Sequence, residues 1–197
     1  VIPAEWLSRH LSHPRLVILE ARMKRVEPLN ASAAPSRFLP GARILDVEEF
    51  SDPESPLPHT LPSAAFFESK ARELGLDRDC LIAIYDQEGI YSSPRVYRMF
   101  RSMGHDAVAV LDGGLPGWVA LGLPTVALPT TSPRGGNFIA VAQPGYFCTG
   151  DAVAEAQRTG KSRIVDARSR ARFLGKAPEH RPGLRAGPIP GSVNQPF

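Results

Sequence analysis

The chain has 197 residues, 43% hydrophobic and 22% charged, with a formal net charge of +3. That length and apolar content suffice for one full core and part of a second, while acids and bases interleaved along most of the chain argue against a nucleic-acid partner. Two cysteines, Cys80 and Cys148, make no disulfide framework and suit a reducing, cytoplasmic setting, and no apolar run approaches the length of a membrane span.

Pro3 stands where a first helical turn tolerates it, and Trp6, Leu7 and Leu11 recur behind it at helical spacing, which predicts a short amphipathic helix ahead of a strand over 16–19. Residues 28–62, rich in Pro, Ser and Asp, read as a long connection around a short segment near 42–45. Ser63 is placed to cap a helix carrying Phe66, Phe67, Ala71 and Leu74 on one face, with Gly75 as its stop. Cys80-Leu81-Ile82-Ala83-Ile84-Tyr85 is an unbroken apolar run of the kind buried on both faces of a sheet, and it ends in a loop over 86–91. Ser93-Pro94 opens a helix through Phe100 and Met103, closed by Gly104, and 107–111 supplies another buried strand before Asp112-Gly113-Gly114. This alternation predicts an α/β domain with a largely parallel sheet, whose ligands gather at loops after the carboxyl ends of strands. The first domain is expected over 1–125. Residues 126–145, with their prolines, threonines and Gly135-Gly136, read as a linker, and 146–197 open a second domain with a helix capped by Thr149 or Asp151 that runs to Arg158.

The chain repeats itself. Ile18-Leu19-Glu20-Ala21-Arg22 returns as Ile164-Val165-Asp166-Ala167-Arg168, and the trailing Leu39-Pro40-Gly41-Ala42 returns as Ile189-Pro190-Gly191-Ser192. A period that long is a duplicated domain, with the second copy incomplete at Phe197. Glu20 and Asp166 read as structural partners of Arg22 and Arg168.

Several common chemistries have no motif here: no Walker loop, no Gly-x-Gly-x-x-Gly, no Cys-x-x-Cys and no histidine pair at zinc-ligand spacing. A cysteine phosphatase needs an arginine six positions after its cysteine, where Cys80 has Asp86 and Cys148 has Ala154. Cys80 reads as a small hydrophobe within a strand, and Cys148 as a surface thiol with no histidine or acid at a telling spacing. Arg163, Arg168, Arg170, Arg172, Arg181 and Arg185 crowd the second repeat, as either a small-anion site or a solvated basic surface.

The duplicated acid-Ala-Arg and Pro-Gly turns, Ser55-Pro56-Leu57-Pro58-His59, Ser93-Pro94-Arg95-Val96-Tyr97 and Leu111-Asp112-Gly113-Gly114-Leu115-Pro116-Gly117-Trp118 together resemble a two-domain sulfurtransferase of the rhodanese superfamily. The resemblance implies tandem rhodanese-like α/β domains, each a mainly parallel central sheet flanked by helices. It further implies a non-catalytic first domain, with Asp86 where a nucleophile would stand, and an active cysteine in a loop of the second domain beyond Phe197.

Two donors compete, 3-mercaptopyruvate and thiosulfate. A carboxylate is best held by paired guanidinium donors, and the mercaptopyruvate branch of the family has two arginines that correspond here to Arg172 and Arg181. The same branch places a histidine after Ser-Pro-Leu-Pro, here His59, and an upstream acid, here Glu48, in a proton relay. The family implies a thiol acceptor, thioredoxin among them, or cyanide, and no metal or organic cofactor. Thiosulfate transfer and a non-catalytic binding module are the alternatives. This chain departs from the family in its turns, where Phe38 and Pro188 replace the usual histidines, and in Glu20 and Glu48, which stand where aspartate is common.

Overall fold

Parallel strands β1 (Leu16–Arg22), β2 (Arg43–Asp46), β3 (Leu81–Tyr85) and β4 (Val108–Val110) line up as β2-β1-β3-β4. The structure, a computed structural model, describes residues 1–24, 37–131, 134–180 and 183–196. These fall into two compact units, the first ending at Tyr146 and the second beginning at Phe147.

In the first unit the central strands carry the apolar runs. Glu20 of β1 stands opposite Tyr85 of β3 and Ile44 of β2, so the acid of the repeat sits at the carboxyl end of a central strand. Ile18, Ala83 and Tyr85 pack on one face with Leu7 of helix α1 (Ala4–Arg9) and with Leu39, Leu111 and Trp118. The pleat sends the alternate residues Leu19, Ile82 and Ile84 to the other face, where they are equally buried. Ser63 caps α2 (Ala64–Glu73) as expected, its hydroxyl accepting from the Phe66 amide at 3.3 Å. Helix α3 (Ser93–Ser102) follows the β3 loop.

Two features depart from the sequence reading. Residues after Asp112-Gly113-Gly114 form a further helix, α4 (Gly114–Ala120), in which buried Leu115 and Trp118 override the weak propensity of two glycines and a proline. The stretch 126–145, read as a linker, is laid down on the first unit. Phe138 is fully buried against Phe67 and Phe100, with ring centroids 5.9 and 5.8 Å away. Its neighbours are pinned by backbone bonds from Gly136 to Arg72, Phe138 to Leu76 and Val141 to Met103. One large aromatic thus anchors a segment whose composition otherwise reads as surface-crossing.

The second unit opens with α5 (Gly150–Thr159), where the Thr149 hydroxyl accepts from the Ala152 amide at 3.2 Å. Strands β5 (Val165–Asp166) and β6 (Val193–Asn194) pair in parallel, with the short helix α6 (Arg170–Phe173) between them in sequence. Among the described residues no helix is long and apolar enough to cross a membrane.

Candidate functional site

At the carboxyl end of β3 the chain wraps around its own side chain. The Asp86 carboxylate, in a residue 2% exposed, takes five hydrogen bonds. Oδ2 accepts from the amides of Tyr91 (2.7 Å), Ser92 (3.1 Å) and Ser93 (3.0 Å) and from the Ser93 hydroxyl (2.7 Å), and Oδ1 accepts from the Glu88 amide at 3.0 Å. The cradle lies at the start of α3, where orphan N–H groups and the helix dipole favour an anion. Only glycine fits at 114: a Cβ there would meet the carbonyl oxygens of Asp86 and Gly89 at 2.8 Å. Asp86 is therefore an internal anion that closes the loop, with its oxygens already spent.

A cavity of about 580 Å³ borders this loop, lined among others by Glu20, Arg22, Arg37, Gln87 and Tyr91. Its Glu20 is 1% exposed and accepts from Arg22 Nη2 and Gln87 Nε2, both at 2.8 Å, and from the Tyr85 hydroxyl at 3.4 Å. The same Tyr85 oxygen accepts from the Leu39 amide at 3.3 Å, so β3 holds the Pro-Gly turn without the family's histidine, and Phe38 packs into the core instead. Burial first, and then the nearby Glu20 charge, push the Tyr85 hydroxyl well above the ordinary tyrosine range.

His59 and Glu48 are brought together. His59 Nε2 lies 2.8 Å from Glu48 Oε1, with the imidazole 18% and the carboxylate 37% exposed. The longer glutamate still reaches its partner. Glu48 is itself fixed: Oε1 accepts from the Lys24 amide at 3.2 Å, and its own amide donates to Asp46 Oδ1 at 2.9 Å. Sequence reasoning assigned no role to Arg95, whose Nη2 donates to the His59 carbonyl at 2.6 Å.

In the second unit, Arg168 is a hub. It donates through Nε and Nη2 to Asp166, with the shortest contact at 2.6 Å, through Nη1 to Glu179 Oε1 at 2.6 Å and through Nη2 to the Gly187 carbonyl at 2.9 Å. Glu179, whose side chain is 5% exposed, takes Arg172 on its other oxygen through Nη2 at 2.6 Å and Nε at 3.3 Å. Hydrogen bonds from Arg172 to Glu179 and from Arg168 to Asp166 hold both carboxyls below their usual range. Arg172 thus lines a cavity of about 770 Å³ with part of its fork already engaged. Arg181 lies outside the described residues. Sequence reasoning assigned no role to Glu179.

Cys80 is not placed as a nucleophile. Cys80 is 3% exposed, and burial pushes its thiol up to about 11, while Cys148 is exposed just before the α5 cap. A thiol-disulfide reagent should label Cys148 in the folded protein and Cys80 only after denaturation; fast labelling of Cys80 would contradict its burial. The sign of the pH dependence follows: the folded thiol value is raised from 9.0, so Cys80's contribution is complete below pH 9 and is lost as the pH climbs towards 11. The urea midpoint of the first unit should fall over that window, and Cys80→Ala should flatten the fall. Among the described residues no group of three or more His, Cys, Asp or Glu is arranged to hold a metal ion.

Residues 3–121 match the rhodanese-like domain. Over 203 residues the chain is 36% identical to a 3-mercaptopyruvate sulfurtransferase of Escherichia coli, covering 100% of this chain and 70% of the relative. A thiosulfate sulfurtransferase of Gallus gallus is 35% identical over 204 residues, again covering 100% and 70%. Among solved structures, that of a 3-mercaptopyruvate sulfotransferase from Escherichia coli superimposes with a TM-score of 0.86 at 34% identity, covering 99% of this chain and 74% of the other.

Proposed function

Because this chain belongs to the rhodanese-like domain family, whose full-length relatives are sulfurtransferases, we propose that it transfers sulfur from 3-mercaptopyruvate to a thiol acceptor or cyanide. The observation that carries the reading is the His59–Glu48 contact at 2.8 Å, an imidazole and a carboxylate held together in a partly exposed turn, as a proton relay requires.

The first unit supplies no nucleophile, since the place of one is taken by a carboxylate with five donors on it. The nucleophile is a cysteine outside these 197 residues. Its thiolate attacks the donor sulfur, the carbon–sulfur bond breaks, and the electron pair leaves on carbon as the enolate of pyruvate. Protonation gives pyruvate and leaves a cysteine persulfide, whose outer sulfur then passes to the acceptor with return of the thiolate. His59, backed by Glu48, serves the proton transfers, and Arg172 with Arg181 orients the donor carboxylate. The setting is cytoplasmic, and thioredoxin is a suitable dithiol acceptor.

Thiosulfate is the second reading. It is favoured by the equal coverage of the Gallus gallus relative and by Glu179, which already occupies part of the Arg172 fork. Steady-state rates of the natural protein with each donor decide between them. A kcat/KM for 3-mercaptopyruvate at least about tenfold above that for thiosulfate supports the proposal, and the reverse ratio overturns it.

A further inference from the structure

His59 is the one non-glycine among the described residues with a positive φ, +58°. A histidine in the left-handed region is uncommon, is strained, and persists only where its surroundings over-determine it. The surroundings here include Arg95. Its guanidinium, partly withdrawn from water and lowered in pKa by that burial, donates to the carbonyl of the strained residue itself at 2.6 Å. The bond falls on the backbone carbonyl of His59. It fixes φ and ψ, and with them the direction in which the ring leaves the chain.

The grip is anchored in turn. Arg95 sits in the first turn of α3, and the residues just before it, Ser92 and Ser93, are the ones whose amides and hydroxyl bind the Asp86 carboxylate. From the imidazole the chain of contacts continues to Glu48 at 2.8 Å, and Glu48 is tied to the Lys24 amide. We infer that Arg95 is a positioning residue for the His59–Glu48 pair, holding His59 in a strained backbone conformation from a helix whose start is locked by Asp86. The buried carboxylate of the first unit thereby has a present use, which is to register α3 against the His59 turn. This inference rests on the proposed relay role of His59, but its geometric half can be tested separately.

The test uses the natural protein with Arg95→Met, which removes the donor while keeping the bulk, and with Arg95→Lys, which keeps a cationic donor. Two readouts are taken: the imidazole NMR signals of His59, with Glu48→Gln as the reference for a broken pair, and kcat and KM for sulfur transfer. Arg95→Met should move the His59 signals to those of Glu48→Gln and lower kcat by about tenfold to a hundredfold, with KM within about twofold. Arg95→Lys should recover most of both. Should Arg95→Met fail to fold, Arg95→Gln, polar but too short to reach the carbonyl, takes its place with the same expectations. Unmoved His59 signals in the folded variant overturn the positioning role, whatever the rate does. Moved signals with an unchanged kcat keep the positioning role and overturn the relay reading of His59.

Discussion

Asp86→Ala is expected to destabilise the first unit by about 3–5 kcal/mol, because several buried donors lose their acceptor at about 1–3 kcal/mol each. Three backbone amides at the start of α3, a serine hydroxyl and the Glu88 amide lose their acceptor together. The adjoining cavity admits water to part of the cradle, which places the effect nearer the lower end of that range. Trp6 and Trp118, the two tryptophans of these 197 residues, both lie in the first unit, so their fluorescence during urea unfolding follows this unit. Asp86→Asn, which keeps one acceptor oxygen, should fall between Asp86→Ala and the unsubstituted protein, and exposed Gln87→Ala should lose far less than Asp86→Ala. A loss below about 1 kcal/mol for Asp86→Ala would mean that the loop closes without its internal anion.

Arg172→Ala is expected to raise KM for 3-mercaptopyruvate by about tenfold to a hundredfold, the worth of one or two charge-assisted hydrogen bonds to a carboxylate. The fold should tolerate the change. Glu179 keeps Arg168, and Arg168 is held independently by Asp166 and by the Gly187 carbonyl. Thiosulfate has no carboxylate, so its KM should change much less, and kcat with either donor should stay within a few fold. Equal losses with both donors would reduce Arg172 to general anion attraction. No loss with either would leave it only the ion pair with Glu179, observed at 2.6 Å. Arg181, proposed to act with Arg172 on the donor carboxylate, should show the same donor selectivity when substituted.

Much of the fold was legible because burial and chemistry coincide along the chain. The run ending at Tyr85 has no polar residue between Cys80 and the loop, so its burial on both faces of a parallel sheet could be read directly. Ser63 announced α2 through its capping hydroxyl. Helix α4 was not legible, because its residues have poor intrinsic propensity and it is the packing of Leu115 and Trp118 that makes them helical. The same holds for 126–145, where Phe138 alone outweighs a composition of prolines, threonines and glycines.

The site was legible more unevenly. The contacts of Glu20 with Arg22 and of Asp166 with Arg168 follow from two-residue spacing at a strand end. His59 and Glu48 stand eleven positions apart in an irregular connection, with the histidine in a left-handed conformation that no periodicity predicts, and only the family resemblance paired them. Arg95 acts on a backbone carbonyl, which leaves no side-chain pattern to read. Glu179 is recognisable only once folding has closed it between two arginines.

Sulfur transfer through a cysteine persulfide is tested by intact-mass measurement of the natural protein after incubation with 3-mercaptopyruvate and no acceptor. One added sulfur atom is expected, on a cysteine that is neither Cys80 nor Cys148, released again by cyanide. No added sulfur, or a sulfur carried only by Cys148, would contradict it.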